Sequence, residues 1–394
     1  MQRIAQADVL LSVTTPAGDY QIRAAHVIDA TGSRSPFRTW CKASVTAKKG
    51  DDRWCIADVR FTKHPPVERH TWVEAPFNEG RAVWQHLMGD DVWRIDYQMA
   101  PDADPSWVSR EDVVRERLAR QFGPDCGVEI VWVGPYAYRS ECIDQMRHGR
   151  VFFMGDAAKV VSPFGARGGN TGIADADNLA WKLKLVIDGA APEALLDSYQ
   201  DERAFAADDN LRHSTRATDF ISPKSRVSLR YRNAVLQLAA SEPFARPLIN
   251  SGRLSTPTPY LHSPLNTADE DSFAGAMRPG TNCVDAPLRH AGRDDWLLNV
   301  LNTLHGPAGG FTLLAFGERP AQERVAEGRI VARVLWVNAA GGDVDDVAGL
   351  LAQRYDARPG TVYLIRPDQH VAARWRGFDA GKIRAALRRA TAQP

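Results

Sequence analysis

The residues best placed to do chemistry lie between Gly155 and Leu183, read as GDAAKVVSPFGARGGNTGIADADNLAWKL. A strand-like run, Val151-Phe152-Phe153-Met154, leads into Gly155-Asp156. A carboxylate at the end of a buried strand can accept hydrogen bonds from hydroxyl groups. Alone, it reads as an acid that satisfies a turn. Pro163 to Asn170 then offers three glycines in five positions, Gly165, Gly168 and Gly169. Glycine lets backbone N–H groups approach a flat ring closely and tolerates positive φ. Ile173, Ala176, Leu179, Ala180, Leu183, Val186 and Ile187 step at three and four, one apolar helix face. Asn170 or Thr171 is the expected N-cap. Asp175 and Asp177 come early, Lys182 and Lys184 late, an order that suits the helix macrodipole, and Asp188-Gly189 ends the run. Strand end, acidic turn, glycine-rich loop and helix N-terminus together form a place for an electron-rich, phosphate-bearing cofactor.

Other elements must hold that stretch. Val9 to Thr15 and Tyr20 to Arg23 read as a hairpin about Pro16-Ala17-Gly18-Asp19, and Ala25 to Ala30 as a short buried strand ending at Thr31-Gly32. From about Trp40 to Tyr138 the chain turns tryptophan-rich and strand-like. Its clearest hairpin is Arg81–Met88 with Val92–Met99. Ser109 is expected to open a helix that runs to Phe122. The block reads as an antiparallel sheet with one helix. After Leu183 the pattern is helical. Leu195, Leu196, Tyr199, Phe205 and Leu211 mark one face; Val227, Leu229, Val235, Leu236 and Leu238 mark another. A Pro/Ser/Thr-rich stretch over 251–279 is the expected linker. From Gly280 helix and strand alternate: helix 296–304, strands 311–316 and 330–337, helix 344–355, a hairpin of 361–365 with 371–375, and a closing helix 382–390.

Bulk properties narrow the function classes. The 394 residues suggest two or three domains, and a net charge of +1 gives no reason to expect nucleic acid or anionic lipid as a partner. The five cysteines form no CxxC pair and no zinc spacing, which fits a reducing cytoplasm and no resident metal. The first residues lack the apolar core of a signal peptide, and no uncharged run approaches membrane-spanning length.

The Gly155–Leu183 stretch resembles the second flavin motif of the single-component, FAD-dependent aromatic hydroxylases, especially the branch acting on phenols and 3-hydroxyphenylpropionate. The matching residues are Gly155-Asp156-Ala157-Ala158, Pro163, Gly165 to Gly169, and Asn170-Thr171-Gly172 through Asp175-Ala176, Asn178-Leu179 and Trp181-Lys182-Leu183. The resemblance implies that Gly155 and Asp156 meet the ribityl chain of FAD. It implies that the backbone around Gly169 to Thr171, Asn170 included, meets the isoalloxazine, with Pro163 beside its reactive face and Gly165 and Gly168 also among the cofactor-binding residues. Lys159 stands where the family has His. Asp29 to Arg38 resembles a motif associated with FAD and the nicotinamide cofactor: Gly32, Ser35 and Arg38 fit, and Thr31 replaces an Asp.

The resemblance implies a fold of mixed class, α/β and α+β. An incomplete FAD-binding domain (1–40, returning at 146–250 with its helices) flanks an antiparallel-sheet substrate domain (41–145). A linker (251–279) leads to a C-terminal thioredoxin-like domain (280–394) whose most characteristic run is Tyr363 to Trp375. A Gly-x-Gly-x-x-Gly fingerprint for the ADP half of FAD is not found, so an N-terminal segment of the family is expected to be missing. The implied activity is hydroxylation of a small phenolic substrate through a flavin C4a-hydroperoxide, with NAD(P)H as reductant. Gln85, Arg94, Gln98 and Tyr138 are the substrate-binding candidates, with His86 and Arg139 near them in sequence. No catalytic residue is identified. Another flavin outcome, such as halogenation or reduction, a flavin-free interaction module, and a homodimer all stay open.

Overall fold

The computed structural model describes residues 8–162, 167–253, 256–306, 309–317, 322–338 and 341–394. The chain opens with a hairpin of β1 (Val9–Thr15) and β2 (Gly18–Ala24), paired from Val9↔Ala24 to Thr15↔Gly18. Next comes β3 (Val27–Asp29), then the short helix α1 (Pro36–Trp40), whose Ser35 side chain caps the Phe37 N–H.

A six-stranded antiparallel sheet follows. It contains β4 (Val45–Phe61), β5 (His70–Ala75), β6 (Arg81–Leu87), β7 (Trp93–Gln98) and β8 (Val128–Ile143). The order is β11-β8-β4-β7-β6-β5, where β11 (Lys159–Val160) returns from the organising stretch. Asp90 and Asp91, both at φ 57°, make the left-handed turn of the β6–β7 hairpin. Alternation along the strands splits the side chains between two faces. Trp93, Ile95 and Tyr97 pack on Val114 and Leu118. Those two lie on α3 (Glu111–Phe122), which follows the one-turn α2 (Pro105–Val108). The expected opening at Ser109 is displaced: Arg110 is the N-cap, and Ser109 closes α2, its hydroxyl donating to Pro105 O at 2.7 Å.

Strands β9 (Arg147–His148) and β10 (Val151–Phe153) join β3 in a small sheet, with β10 parallel to β3. The long helices α4 (Arg167–Ile187), α5 (Asp197–Ile221) and α6 (Arg226–Ser241) come next, then α7 (Arg246–Ile249). Ala217 and Ile221 of α5 cover Trp54 and Trp84, on the sheet face opposite α3. Two expected apolar faces are corrected. Ile173 and Ile187 of α4 are 69% and 63% exposed, and Val227 of α6 is 78% exposed. Helix α4 buries Leu179 and Leu183 of the expected face and, beside them, Trp181 and the polar stripe Thr171, Asp175, Asn178 and Lys182. Lys182 and Asp175 are therefore spent on buried ion pairs and not on the helix dipole.

The C-terminal part is one sheet of β12 (Pro287–His290), β13 (Arg293–Trp296), β14 (Phe311–Phe316), β15 (Arg324–Glu327), β16 (Ile330–Val337), β17 (Val344–Asp345), β18 (Val362–Ile365) and β19 (Val371–Trp375). The path is β13-β12-β17-β16-β14-β18-β19, with β15 on β16; β14 and β16 run parallel, and β18 and β19 form the expected hairpin. Helices α8 (Leu297–Leu304) and α9 (Leu350–Arg354) pack on one face and α10 (Ala380–Ala390) on the other. The expected helix over 344–355 is mostly something else. Val344 and Asp345 pair as a strand, Asp346 turns the chain by accepting from Leu351 N and Ala352 N, and Gly349 at φ 67° precedes the helix. The stretch after Thr256 is a packed strap, with Tyr260, Leu265 and Met277 buried. Among the described residues no helix is long and apolar enough to cross a membrane, and all five cysteines are free thiols.

Two contacts lock the C-terminal sheet to α4. Trp181 enters its core edge-on to Phe311, ring centroids 5.8 Å apart. Beside it, Glu202 of α5 accepts from Arg366 Nη1 (2.5 Å), Arg366 Nη2 (2.9 Å) and Lys182 Nζ (2.7 Å). Arg366 also grips Asp368. Removing the acid leaves two buried cations short of a partner. Glu202→Gln is expected to lower stability by about 3–5 kcal/mol, read from urea unfolding. A loss below about 1 kcal/mol, the size of a surface pair, would mean that the network does not hold the junction.

Candidate functional site

The site grows from the parallel contact of β3 with β10, which brings two distant motifs side by side. Asp29, buried at the end of β3, accepts from Thr31 N (3.0 Å), Thr31 Oγ1 (2.7 Å) and Ser35 Oγ. It thereby closes the Thr31-Gly32-Ser33 turn, where Gly32 takes φ 89°. Arg38 leaves that turn and crosses to the other motif. Its Nε donates to Ala157 O at 2.8 Å and its Nη2 to Asp156 O at 2.9 Å; Glu141 takes Nη1 at 3.1 Å. Arg38 therefore acts as a clamp on the Gly155–Ala157 turn.

That turn is fixed from below by a buried charge cluster. Asp175, on the third turn of α4, accepts from Gly155 N at 2.8 Å, from Lys159 Nζ, and from Arg203 Nε at 2.6 Å. Burial alone would raise the Asp175 carboxyl, but Arg203 and Lys159 together hold it below the usual carboxylate value. Burial pulls the Lys159 ammonium down to about 8, against the attraction of Asp175. Lys159 thus stands inside the scaffold, where it anchors the turn to α4. Arg203 continues to Thr171 O (3.0 Å), Thr171 Oγ1 (2.9 Å) and Tyr260 OH (2.7 Å). Gly155, at φ 56°, lies against Gly172: a Cβ on Gly172 would stand 3.4 Å from the Gly155 Cα.

The structure places the turn and the α4 N-terminus together. Helix α4 already includes Asn170 and Thr171, so neither is its N-cap. Gly168 and Gly169 occupy its first turn without positive φ, and a Cβ on either would meet nothing within 4 Å. Gly169 and Asn170 are exposed, as is Asp156, whose carboxylate accepts no hydrogen bond among the described residues. The exposed Asp156 carboxylate thus belongs to the turn that packs on α4, a helix whose first N–H groups have no intrahelical acceptor. Thr171 is buried and spent on Arg203. Pro163 and Gly165 lie outside the described residues, as does the side chain of Tyr138. An FAD fits the donor set: hydroxyls for the Asp156 carboxylate, and an electron-rich ring edge for the α4 N–H groups.

A cavity of about 1050 Å³ lies between the antiparallel sheet and the end of α5, and a separate one of about 360 Å³ is lined by Asn170 and Thr171 of α4 with Arg203 and Tyr260. Ser162, the last described residue before the glycine-rich loop, bonds Thr218 of α5 at 3.0 Å, one turn before Ile221 and Ser222 in the wall of the larger cavity. Tyr136 also lines it; burial and then the Asp156 charge raise its hydroxyl pKa. Of the substrate candidates, Gln98 lines the cavity, held by Ser222 Oγ (2.8 Å) and Ala82 N (3.1 Å). Gln85 turns to the α3 face and accepts from Gln121 at 2.9 Å. Arg94 makes a bidentate pair with Asp58, both contacts 2.8 Å. Neither lines the cavity. Arg139 reaches Ser33 at 2.5 Å, and His86 pairs with Arg94 across the hairpin.

Sequence reasoning passed over Asp96. It shares a strand face with Arg94 and Gln98, and that alternation was the available signal. Burial pushes its carboxyl up to about 6, partly opposed by Arg94.

Comparisons with known proteins agree with this geometry. The FAD binding domain family matches residues 5–214. A 4-methyl-5-nitrocatechol 5-monooxygenase of a Burkholderia species is 33% identical over 271 residues, 65% of this chain and 45% of that one. A 3-(3-hydroxy-phenyl)propionate/3-hydroxycinnamic acid hydroxylase of Mycolicibacterium smegmatis is 27% identical over 393 residues, 94% of this chain and 68% of that one. The crystal structure of the flavin-dependent monooxygenase PieE, in complex with FAD and substrate, matches at a TM-score of 0.79 and 23% identity, over 98% of this chain and 74% of that one. At that identity the likeness is one of fold. The chain spans about half the length of the Burkholderia relative and about two thirds of the mycobacterial one.

The raised Asp96 carboxyl has a signed consequence. The native state binds its proton more tightly than the unfolded chain, so the stability it contributes is full below the model-peptide value of 3.8 and is lost as pH rises through about 6. At pH 7 the charged carboxylate therefore costs up to about 3 kcal/mol, from roughly two pKa units. Asp96→Asn is expected to gain stability over the native chain as pH rises from 4 to 7 in parallel urea titrations. A difference that stays flat with pH would contradict the assignment.

Proposed function

The chain belongs to the FAD binding domain family, and from that premise we propose that it serves the hydroxylation of a phenolic ring, with FAD as cofactor and NAD(P)H as reductant. The observation that carries the reading is the packing of the Gly155–Ala157 turn, with its exposed Asp156 carboxylate, against the N-terminal part of α4, where Gly172 meets Gly155. FAD, when bound, supplies the activation of dioxygen and the transfer of its oxygen to the ring. The names of the relatives, a nitrocatechol monooxygenase and a hydroxyphenylpropionate hydroxylase, support a phenolic substrate.

The chain's own residues do the binding and the orienting. Asp156 accepts from ribityl hydroxyls. The first turn of α4, with Gly168 and Gly169, would hold the electron-rich ring edge, where the helix dipole favours negative charge. Arg38 and Asp175 hold turn and helix in register, so the two halves of the cradle need no rearrangement. Gln98, pinned by Ser222 and Ala82, offers a fixed polar wall to a ring hydroxyl. Trp54 and Tyr136 contribute aromatic surface to the cavity wall.

We further infer that the C-terminal block is thioredoxin-like. The parallel β14–β16 pair, the β18–β19 hairpin and the closing α10 support this. Its one cysteine, Cys283, has a thiol pushed up by burial to about 12, which suits packing and not exchange. Free cysteines throughout suit a reducing cytoplasm.

The test is direct. The chain is mixed with FAD, freed of excess, and its visible spectrum recorded. Retained flavin absorbance is expected, together with substrate-stimulated NAD(P)H oxidation that yields an oxygenated product. Asp156→Ala removes a charged acceptor from the cofactor and is expected to weaken retention roughly tenfold or more. A chain that keeps no flavin, or a variant that binds as well as the parent, would sink the reading.

A further inference from the structure

Helix α6 gives one side to the protein and leaves another bare. Arg232, Val235 and Ala239 are its buried residues. Val227, Tyr231, Ala234 and Leu238 recur at intervals of four, three and four, so they share one stripe along the helix. All four are exposed, Tyr231 to 56%. The chain then turns at Pro243–Ala245 and packs α7 back on α6. This adds Phe244 and Leu248, 67% and 50% exposed. Large apolar side chains scattered singly over a surface are ordinary; a stripe of them marks a contact.

The charge around the stripe has one sign. Residues 221–253 hold six cations and a single acid, Glu242, in a chain whose net charge is only +1. The rest of the chain is therefore net negative. Three of the six are engaged: Arg232 with Glu74, Arg253 with Asp209, and Lys224. Arg226, Arg230 and Arg246 are exposed and make no ion pair among the described residues. Arg226 and Arg230 each precede a stripe residue by one position, which sets them on its flank. An apolar stripe with an aromatic residue in it and arginines beside it is the pattern of a helix that lies flat in the boundary of an anionic bilayer. A second copy of the chain fits less well. It would set three unpaired guanidinium groups against three more, with one acid on each side to offset them.

We propose that α6 and α7 form a docking surface for an anionic bilayer, with the stripe and Phe244 entering the headgroup boundary and Arg226, Arg230 and Arg246 on lipid phosphates. The charge of the whole chain conceals this surface, because it averages a basic segment with an acidic remainder. Helix α6 also supplies Leu229 and Arg232 to the wall of the larger cavity, so a docked chain carries that wall to the lipid surface. The inference does not rest on the flavin reading, and either can fail without the other.

Co-sedimentation of the full chain with lipid vesicles at about 0.1 M salt tests it. One set of vesicles is phosphatidylcholine alone; the other carries about 30% phosphatidylserine. Partition onto the anionic set is expected to be roughly tenfold or more above the neutral set, and to weaken at about 0.5 M salt. Arg226→Gln with Arg230→Gln is expected to weaken it roughly tenfold, and Tyr231→Ser with Phe244→Ser to do the same. All four positions are exposed, so the urea midpoint is expected to hold. Arg384→Gln with Arg389→Gln, at exposed positions of α10, is expected to leave partition unchanged. No binding of the parent chain to anionic vesicles overturns the proposal, as does equal binding to both sets. Equal losses from the α6 and α10 pairs, with none from Tyr231→Ser and Phe244→Ser, mark adsorption by charge alone and overturn it too. A dimer in sedimentation velocity that Tyr231→Ser with Phe244→Ser splits, in a chain that binds no vesicles, assigns the face to a second copy instead.

Discussion

A carboxylate with no exposure, Asp175, faces two buried cations and a backbone N–H, and the centre of this chain depends on it. Gly155 N, Lys159 Nζ and Arg203 Nε all converge on its two oxygens. Those three donors come from a turn after a parallel strand, from a strand of the antiparallel sheet, and from helix α5. One side chain on α4 therefore fixes the relative positions of three layers. A second cluster lies seven residues on, where Lys182 and Asn178 meet Glu202, Arg366 and Asp368. Through it the C-terminal sheet is keyed to the same helix face. Across both clusters four cations, Lys159, Lys182, Arg203 and Arg366, face three carboxylates, Asp175, Glu202 and Asp368.

This arrangement explains why the exposed parts of the site can be so sparsely supported. Asp156 and the first turn of α4 sit on the outside, yet each is one residue from a buried anchor. Gly155 N is held by Asp175, and Asp156 O and Ala157 O by Arg38. At the other end, Thr171 is held by Arg203. Preorganised donors are worth most when no group must move as charge develops. The anchors supply that rigidity without occupying the space a ligand needs.

The sequence made the local features legible and the long-range ones not. The β6–β7 hairpin followed from alternation and an Asp-Asp turn, and the β18–β19 hairpin from two short apolar runs. The Asp156 turn followed from spacing within one stretch, whereas Gly168 and Gly169, expected in a loop, fall in the first turn of α4. The buried face of α4 did not. Its apolar residues suggested that Ile173 and Ile187 point inward with Leu179 and Leu183; the two leucines do, but the rest of the inward surface includes the polar stripe Thr171, Asp175, Asn178 and Lys182. That stripe is equally helical in period. It reads as a solvated face unless its partners are known, and they lie 28 residues on for Asp175 and Arg203 and 164 residues apart for Glu202 and Arg366. Asp96 escaped for a similar reason: its environment is made by neighbouring strands and not by its own. Gly349, a residue type tolerant of the left-handed region, could have signalled the late start of α9 within a run that looked helical throughout.

Stability alone does not account for so many buried charges. Buried ion pairs exchanged for well-packed apolar side chains often leave a protein as stable or more so. Lys159 illustrates the cost, since burial draws its ammonium down to about 8 even with Asp175 in contact. What an apolar core could not supply is register. A leucine face tolerates a small rotation or slide of α4 with little change in burial. Asp175 does not, because its two oxygens must meet an N–H, an ammonium and a guanidinium at once, within 2.6–2.8 Å where Gly155 and Arg203 are concerned. A displacement of 1 Å breaks at least one of those contacts and leaves a buried group unsatisfied. The helix is therefore held to one position along its axis, and the distance between its N-terminus and the Asp156 carboxylate is held with it. That distance is the dimension a rigid, flat cofactor would measure, which makes the charged face of α4 part of the site.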